Sequence, residues 1–127
     1  HWYSDGKPFI DDLFKDLVGS IQLEGIDTIA ASYLLGHTHG LEQQAHYDAC
    51  DFTMIYYPKL DWQSDWGGGT LIGDTLISYV GDRLMIFSCD QIHQGQPISK
   101  YCQELRPIVV FQCNAKNAMI ERLSWQR

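Results

Sequence analysis

His46-Tyr47-Asp48 sets an imidazole and a carboxylate two residues apart. On a β-strand, side chains at that spacing leave from the same face, so the pair can present two metal-ligand atoms together. A third ligand must come from elsewhere. His93, in Gln91-Ile92-His93-Gln94-Gly95, follows the apolar stretch that ends at Cys89. Two imidazoles and one carboxylate on one face of an octahedral ion leave three positions open, the donor set of non-haem iron(II) oxygen chemistry. Those positions accept a bidentate co-substrate and dioxygen. Arg106 then opens the apolar run Pro107-Ile108-Val109-Val110-Phe111. A guanidinium at the head of a buried strand is costly without a partner, and a dicarboxylate supplies one through two parallel charge-assisted hydrogen bonds. Taken alone, Arg106 fits a structural ion pair with one of the sixteen acidic residues. Behind the His-x-Asp step and a distal histidine, it favours a co-substrate.

Such a constellation needs a sheet to hold it. From about Thr28 the sequence becomes short apolar runs separated by turn residues. Candidate strands are Thr28–Leu35, Gln43–Cys50, Phe52–Pro58, Gly69–Ile72, Thr75–Val80, Arg83–Cys89, His93–Ile98 and Arg106–Cys113. Gly67-Gly68-Gly69, Gly73-Asp74 and Gly81-Asp82 are the turn signals between them. This many short strands suits a sandwich or jelly roll better than a parallel α/β sheet. Ahead of them, Ile10, Leu13, Phe14, Leu17, Val18 and Ile21 recur at helical spacing. Pro8 fits a first helical turn, and Asp11 and Asp12 sit at its positive end. The expectation is one mainly β domain over residues 1–127, with a helix over about 8–23 packed against a β core over about 28–114.

Composition narrows the function. A 45% hydrophobic and 13% aromatic content suffices for a packed core in 127 residues. The net charge of −7 counts against a nucleic-acid substrate, because binding many phosphates requires a basic face. No apolar run reaches the roughly 18 residues that span a bilayer, and no charged-then-apolar leader opens the chain. The first residue is His1, not Met, as in a trimmed, processed or partial chain. Cys50, Cys89, Cys102 and Cys113 show no CxxC spacing, so a structural zinc site is not expected. Without a leader, they are expected to be free thiols in a reducing, cytoplasmic setting.

The ordered set His46-Tyr47-Asp48, Met54-Ile55-Tyr56-Tyr57-Pro58, Asp61-Trp62, Gly67-Gly68-Gly69-Thr70-Leu71, Asp82-Arg83-Leu84-Met85-Ile86-Phe87, His93 and Arg106 resembles the catalytic core of prolyl 4-hydroxylase-type 2-oxoglutarate oxygenases. The likeness is greatest to small phage and bacterial members and covers roughly residues 30–114. It implies a double-stranded β-helix, or jelly roll, with Fe(II) on His46, Asp48 and His93. It further implies 2-oxoglutarate and O2 as co-substrates and raises ascorbate as a reductant. Arg106 would pair with the distal carboxylate of 2-oxoglutarate, and Tyr57 would donate a phenol hydrogen bond to it. Tyr33 corresponds to a second family tyrosine near the co-substrate. The implied reaction is hydroxylation of an unactivated C–H bond, and Asp48 agrees with this because relatives that halogenate lack the carboxylate.

Other readings compete at particular residues. Gly36-His37-Thr38-His39-Gly40-Leu41-Glu42 is similar to a cupin HxH…E ligand set, but its glutamate follows too closely and Gly40 points to a turn. A loop at the pocket mouth is the expected place for His37 and His39. A barrel that only binds a partner is a further alternative, disfavoured because the full ligand and arginine set is present. Trp62 and Trp66 are expected to cap the barrel rather than line a groove, and Cys50 to belong to the core. Only Ala49, Cys50 and Asp51 separate Asp48 from the next strand, which leaves no long loop to fold over a substrate there. That suggests an open site for a prolyl or other residue of a protein or peptide, with a free amino acid or small metabolite as the alternative.

Overall fold

The computed structural model describes residues 2–3, 12–13, 16, 26–38, 44–48, 50–115 and 125–126, with backbone only for 2–3, 26–33, 115 and 125–126. Nine strands are described: β1 (Trp2–Tyr3), β2 (Ile26–His37), β3 (Phe52–Tyr57), β4 (Thr70–Ile72), β5 (Thr75–Ile77), β6 (Arg83–Ser88), β7 (His93–Gly95), β8 (Arg106–Ala115) and β9 (Trp125–Gln126). A 3-10 turn, Ser64–Trp66, precedes the glycines. The helix expected over 8–23 falls almost wholly outside the described residues. Of that stretch only Asp12, Leu13 and Asp16 are described, with helical backbone.

The strands form two antiparallel sheets, one in the order β1-β2-β8-β3-β6-β9 and one in the order β5-β4-β7. After β2 the chain crosses to the small sheet at His46, which bridges β7, and returns to the large one at β3. It then makes the hairpin β4–β5 in the small sheet, β6 in the large, β7 in the small and β8 in the large. Alternate residues on each strand therefore share one interior. Ile55 and Tyr57 of β3, Met85 and Phe87 of β6, and Ile108 and Val110 of β8 meet Ile72 and Ile77 of the small sheet in one core. The opposite face of the large sheet is buried as well, through Phe52, Met54, Leu84, Ile86, Val109 and Phe111. Burial on both faces explains why β3, β6 and β8 read as continuous apolar runs rather than alternating ones.

Trp62 and Trp66 close one end of this sandwich. They meet edge to face at 5.0 Å, and Trp62 donates its indole N–H to the Gly67 carbonyl at 2.9 Å. Packing, not a groove, is thus their described role. The strand expected over Gln43–Cys50 does not form among the described residues 44–48, where the only pairing is the His46–His93 bridge. The expectation of free thiols is also corrected, since Cys50 and Cys89 form a disulfide. Pairing of Phe52 with Ser88 brings the start of β3 to the end of β6, setting the two Cα atoms 5.7 Å apart, well within disulfide reach. Cys102 and Cys113 are free and buried.

Candidate metal centre

His46 and His93 are brought together by the backbone before any side chain is considered. Each amide donates to the other's carbonyl, at 2.9 and 3.0 Å, so the two residues form a closed antiparallel pair. Their rings follow, with centroids 4.2 Å apart. Asp48 turns its carboxylate between them, Oδ1 lying 3.5 Å from His46 Nε2 and Oδ2 lying 3.3 Å from His93 Nε2. One ligand atom from each of the three lies within 4.8 Å of the others, and this is the metal-capable group found among the described residues. His46 and Asp48 do come together, although at an isolated bridge instead of on a regular strand.

The protons favour a cation here. His46 Nδ1 lies 2.9 Å from the Gln44 carbonyl and His93 Nδ1 lies 3.3 Å from that of Gln91. A carbonyl only accepts, so in a neutral ring Nδ1 carries the proton and Nε2 presents a lone pair. Burial lowers the His93 pKa below its ordinary value, although Asp48 acts to raise it, which favours the neutral ring at neutral pH. A bare Nε2 then faces carboxylate oxygens, acceptor against acceptor. A metal ion among them resolves that conflict, and histidines that hold metals commonly donate their other N–H to a carbonyl in this way. Thr53, fully buried on β3, donates its hydroxyl to Asp48 Oδ2 at 2.5 Å.

A cavity of about 410 Å³ opens at this cluster, within the range of small-molecule sites. His46 and His93 line one part of it; Thr70 and Arg106 line another. Leu35, Ile55, Ile108 and Val110 supply apolar wall between them. Arg106 is 1% exposed. It donates from Nε to the Gly68 carbonyl and from Nη2 to the Gly69 carbonyl at 3.3 Å and the Thr70 hydroxyl at 3.4 Å. The rings of Tyr57 and Tyr79 each lie 5.9 Å from its guanidinium carbon. No carboxylate among the described residues pairs with it. Burial lowers its pKa from a very high ordinary value, and the nearby phenols act against that shift.

The glycines make this possible. Gly68 has φ +76, and a Cβ there would stand 3.0 Å from Arg106 Cδ and 3.1 Å from the Trp62 ring. Only a bare Cα lets its carbonyl reach the guanidinium. Neighbouring backbone bonds, Gly68 N to Pro97 O at 3.1 Å and Gln96 N to Gly69 O at 2.8 Å, hold the segment against the residues that follow β7.

Tyr57 is fully buried and its hydroxyl lies 2.6 Å from that of Thr70. Thr70 is the one of the two that lines the cavity. Burial raises the Tyr57 pKa, and burial pushes that of Tyr79 up to about 12, so both phenols keep their protons. Tyr33 lies on β2 opposite Val110, and its side chain is outside the described portion. His37 is not in a loop as expected. It ends β2 opposite Arg106 and lines the cavity. His39 and Glu42 lie outside the described residues, so of the cupin-like set only His37 is placed, apart from the His46 cluster. Thr53 and Thr70 were missed in the sequence. Their signals were weak: Thr53 has the parity of Tyr57, and Thr70 follows the third glycine.

No family model matches the chain, and no curated protein matches it. Among the described residues, no helix is long and apolar enough to cross a membrane. A search of solved structures finds a prolyl-4-hydroxylase of Pseudomonas putida, with a TM-score of 0.59 at 15% sequence identity. The match covers 85% of this chain and 63% of that one. The chain thus shares the β-sandwich fold of that hydroxylase over less than two thirds of its length.

Proposed function

We propose that this protein is an Fe(II)- and 2-oxoglutarate-dependent oxygenase that hydroxylates an unactivated C–H bond, with His46, Asp48 and His93 as the metal ligands. The observation that carries this reading is Arg106, a buried cation with no carboxylate partner among the described residues, in the same cavity as the His-Asp-His cluster. A dicarboxylate spanning that cavity would answer both needs, one end at the metal and one at the guanidinium. The weave of the chain between the two sheets supports a double-stranded β-helix, and the fold likeness to a hydroxylase supports the reaction class.

His46, Asp48 and His93 would hold iron(II), which when bound would supply dioxygen activation coupled to decarboxylation of 2-oxoglutarate. The chain's own residues do the rest. Asp48 offsets part of the metal's charge, and the carbonyls of Gln44 and Gln91 hold the imidazoles with Nε2 directed inward. Arg106 and the Thr70 hydroxyl receive the distal carboxylate, while Tyr57 fixes Thr70 from behind. Leu35, Ile55, Ile108 and Val110 keep water from the co-substrate's methylene carbons. Low local polarity strengthens the Arg106 charge pair beyond its value in water. The substrate proposed is a prolyl or other residue of a protein or peptide, because His46, at the cavity's metal side, has a half-exposed side chain.

Anaerobic titration with iron(II) and then 2-oxoglutarate tests this. The expected result is a weak visible charge-transfer band that is absent in His93→Ala and lost or strongly weakened in Arg106→Ala. No band in the unaltered protein, or one indifferent to Arg106→Ala, overturns the co-substrate assignment. Mass spectrometry on prolyl peptides then addresses the substrate; turnover of free proline with no peptide hydroxylated would favour a small metabolite.

A further inference from the structure

Asp48 and His93 are 45 positions apart in the chain (93 − 48), yet a covalent bond ties their segments together. Cys50 stands two residues after Asp48, and Cys89 four residues before His93. The Thr53 hydroxyl lies against this bond, 3.6 Å from Cys50 Sγ and 3.4 Å from Cys89 Sγ, while donating to Asp48. Backbone bonds from Cys89 N to Asp51 O at 3.1 Å and from Asp51 N to Cys113 O at 3.0 Å hold the same corner. We propose that Thr53 is the positioning residue for the Asp48 carboxylate and that the Cys50–Cys89 disulfide braces the two ligand-bearing segments, so that its reduction loosens the metal centre. This rests on the reading of His46, Asp48 and His93 as ligands.

The physical case has three parts. The Asp48 side chain is only 4% exposed, so water cannot orient it. A single charge-assisted hydrogen bond from a fully buried hydroxyl does so instead, engaging Oδ2 and leaving Oδ1 as the oxygen free of Thr53. The stretch 44–48 has no ladder of its own beyond the bridge at His46, so strand pairing alone does not fix Asp48. Cys50 is the first residue after Asp48 with a covalent anchor to the rest of the fold. When an external dithiol reduces the bond, the S–S link breaks and two S–H groups form. Two electrons and two protons enter, and the dithiol becomes a cyclic disulfide. Thr53 then loses the fixed surface behind it, and the Asp48 and His93 segments are held to each other by backbone hydrogen bonds alone.

Cobalt(II) binding, followed by its visible absorption under argon, tests this without turnover. The oxidised protein is expected to bind one cobalt(II), and His93→Ala to bind none. Thr53→Val should weaken binding by about tenfold or more, the usual scale for an outer-sphere partner of a metal ligand, and Thr53→Ser should restore it. Reduction with dithiothreitol, followed by desalting, should cause a loss of similar size, regained on reoxidation. The Cys50→Ala/Cys89→Ala variant should show the same loss with no thiol at that corner to bind cobalt. Cys113 does not confuse the measurement, because burial pushes its thiol pKa up to about 12. A merely structural role for Thr53 would lower the melting temperature of the metal-free protein and leave the cobalt affinity of the folded protein unchanged. That outcome, or reduced protein binding as tightly as oxidised, overturns the proposal, while loss of binding in His93→Ala still upholds the metal site in the unaltered protein. Failure of the oxidised protein to bind cobalt, or full binding by His93→Ala, instead removes the metal reading and this proposal with it.

Discussion

The two sides of the cavity are built by opposite means. At the arginine side everything stands on regular strands and a tightly bonded glycine turn: Arg106 is 1% exposed and Tyr57 fully buried. At the metal side, His46 and Asp48 sit in a stretch with one bridge, and the His46 side chain is 49% exposed. The arginine side draws its precision from the core of the fold, so damage there should be felt as stability. The metal side draws its precision from local bonds and one disulfide, so damage there should be felt as affinity. On the proposed oxygenase reading, the rigid side would hold the co-substrate and the open side would face the substrate.

The largest expected effect breaks the metal side alone. His46→Ala should lower iron(II) or cobalt(II) affinity by more than about 100-fold, beyond the range of outer-sphere losses. Its unfolding midpoint in urea should shift little, since the ring is half exposed. A large loss of stability would erase the distinction between the two sides. Arg106→Ala should do the reverse. It leaves the carbonyls of Gly68 and Gly69 without their cation and opens a void, for a loss of roughly 2–4 kcal/mol in denaturant unfolding. Metal binding by the protein that remains folded should persist. Gly68→Ala sharpens the contrast at smaller scale, because a positive φ and a 3.0 Å approach to Arg106 Cδ together should cost about 1–2 kcal/mol, again with metal affinity nearly unchanged.

The smallest effect is a pH dependence at His37. Burial first, and the Arg106 charge second, hold its pKa below the ordinary value, which is about 6.5 in an unfolded chain. Above that pH neither state is protonated at this ring and the contribution is constant. As pH falls below about 6.5 the unfolded chain takes up a proton that the folded chain refuses, so stability drops until the depressed folded pKa is passed. The difference in unfolding free energy between the unaltered protein and His37→Gln, followed against pH, isolates that contribution. In an Arg106→Met background the difference should shrink, and an unchanged difference would mean that Arg106 does not act on His37.

The sequence was legible where a turn and an apolar run lie side by side. Gly81-Asp82 announces the start of β6 at Arg83, and Phe52 and Arg106 each open a strand where expected. Thr53, Ile55 and Tyr57 share one face of β3 by strand parity and point inward, but the alternation alone does not say which of the two faces is the inner one. Legibility failed where structure depends on partners far along the chain. The segment around His46 carries exposed Gln44, Ala45 and Tyr47 and lacks the apolar repetition of a strand, and the His-x-Asp spacing alone does not make it one. The disulfide was illegible for the same reason. Cys50 and Cys89 are 39 residues apart, and only the pairing of β3 with β6 brings them together. Thr53 and Thr70 are common residues whose role follows from what they touch, and no spacing announces that.

The mutual bridge between His46 and His93 has one more consequence. Each amide proton is held by the other residue's carbonyl, so neither exchanges with solvent unless the pair opens. In the metal-free protein that opening is expected to need only a local fluctuation, since an isolated bridge at a half-exposed residue is among the first pairings to open. An ion held by both rings would clamp the pair shut and slow both amides together. If the site takes a metal as proposed, these two backbone protons would time its arrival, readable by hydrogen–deuterium exchange without a label, a substrate or a colour.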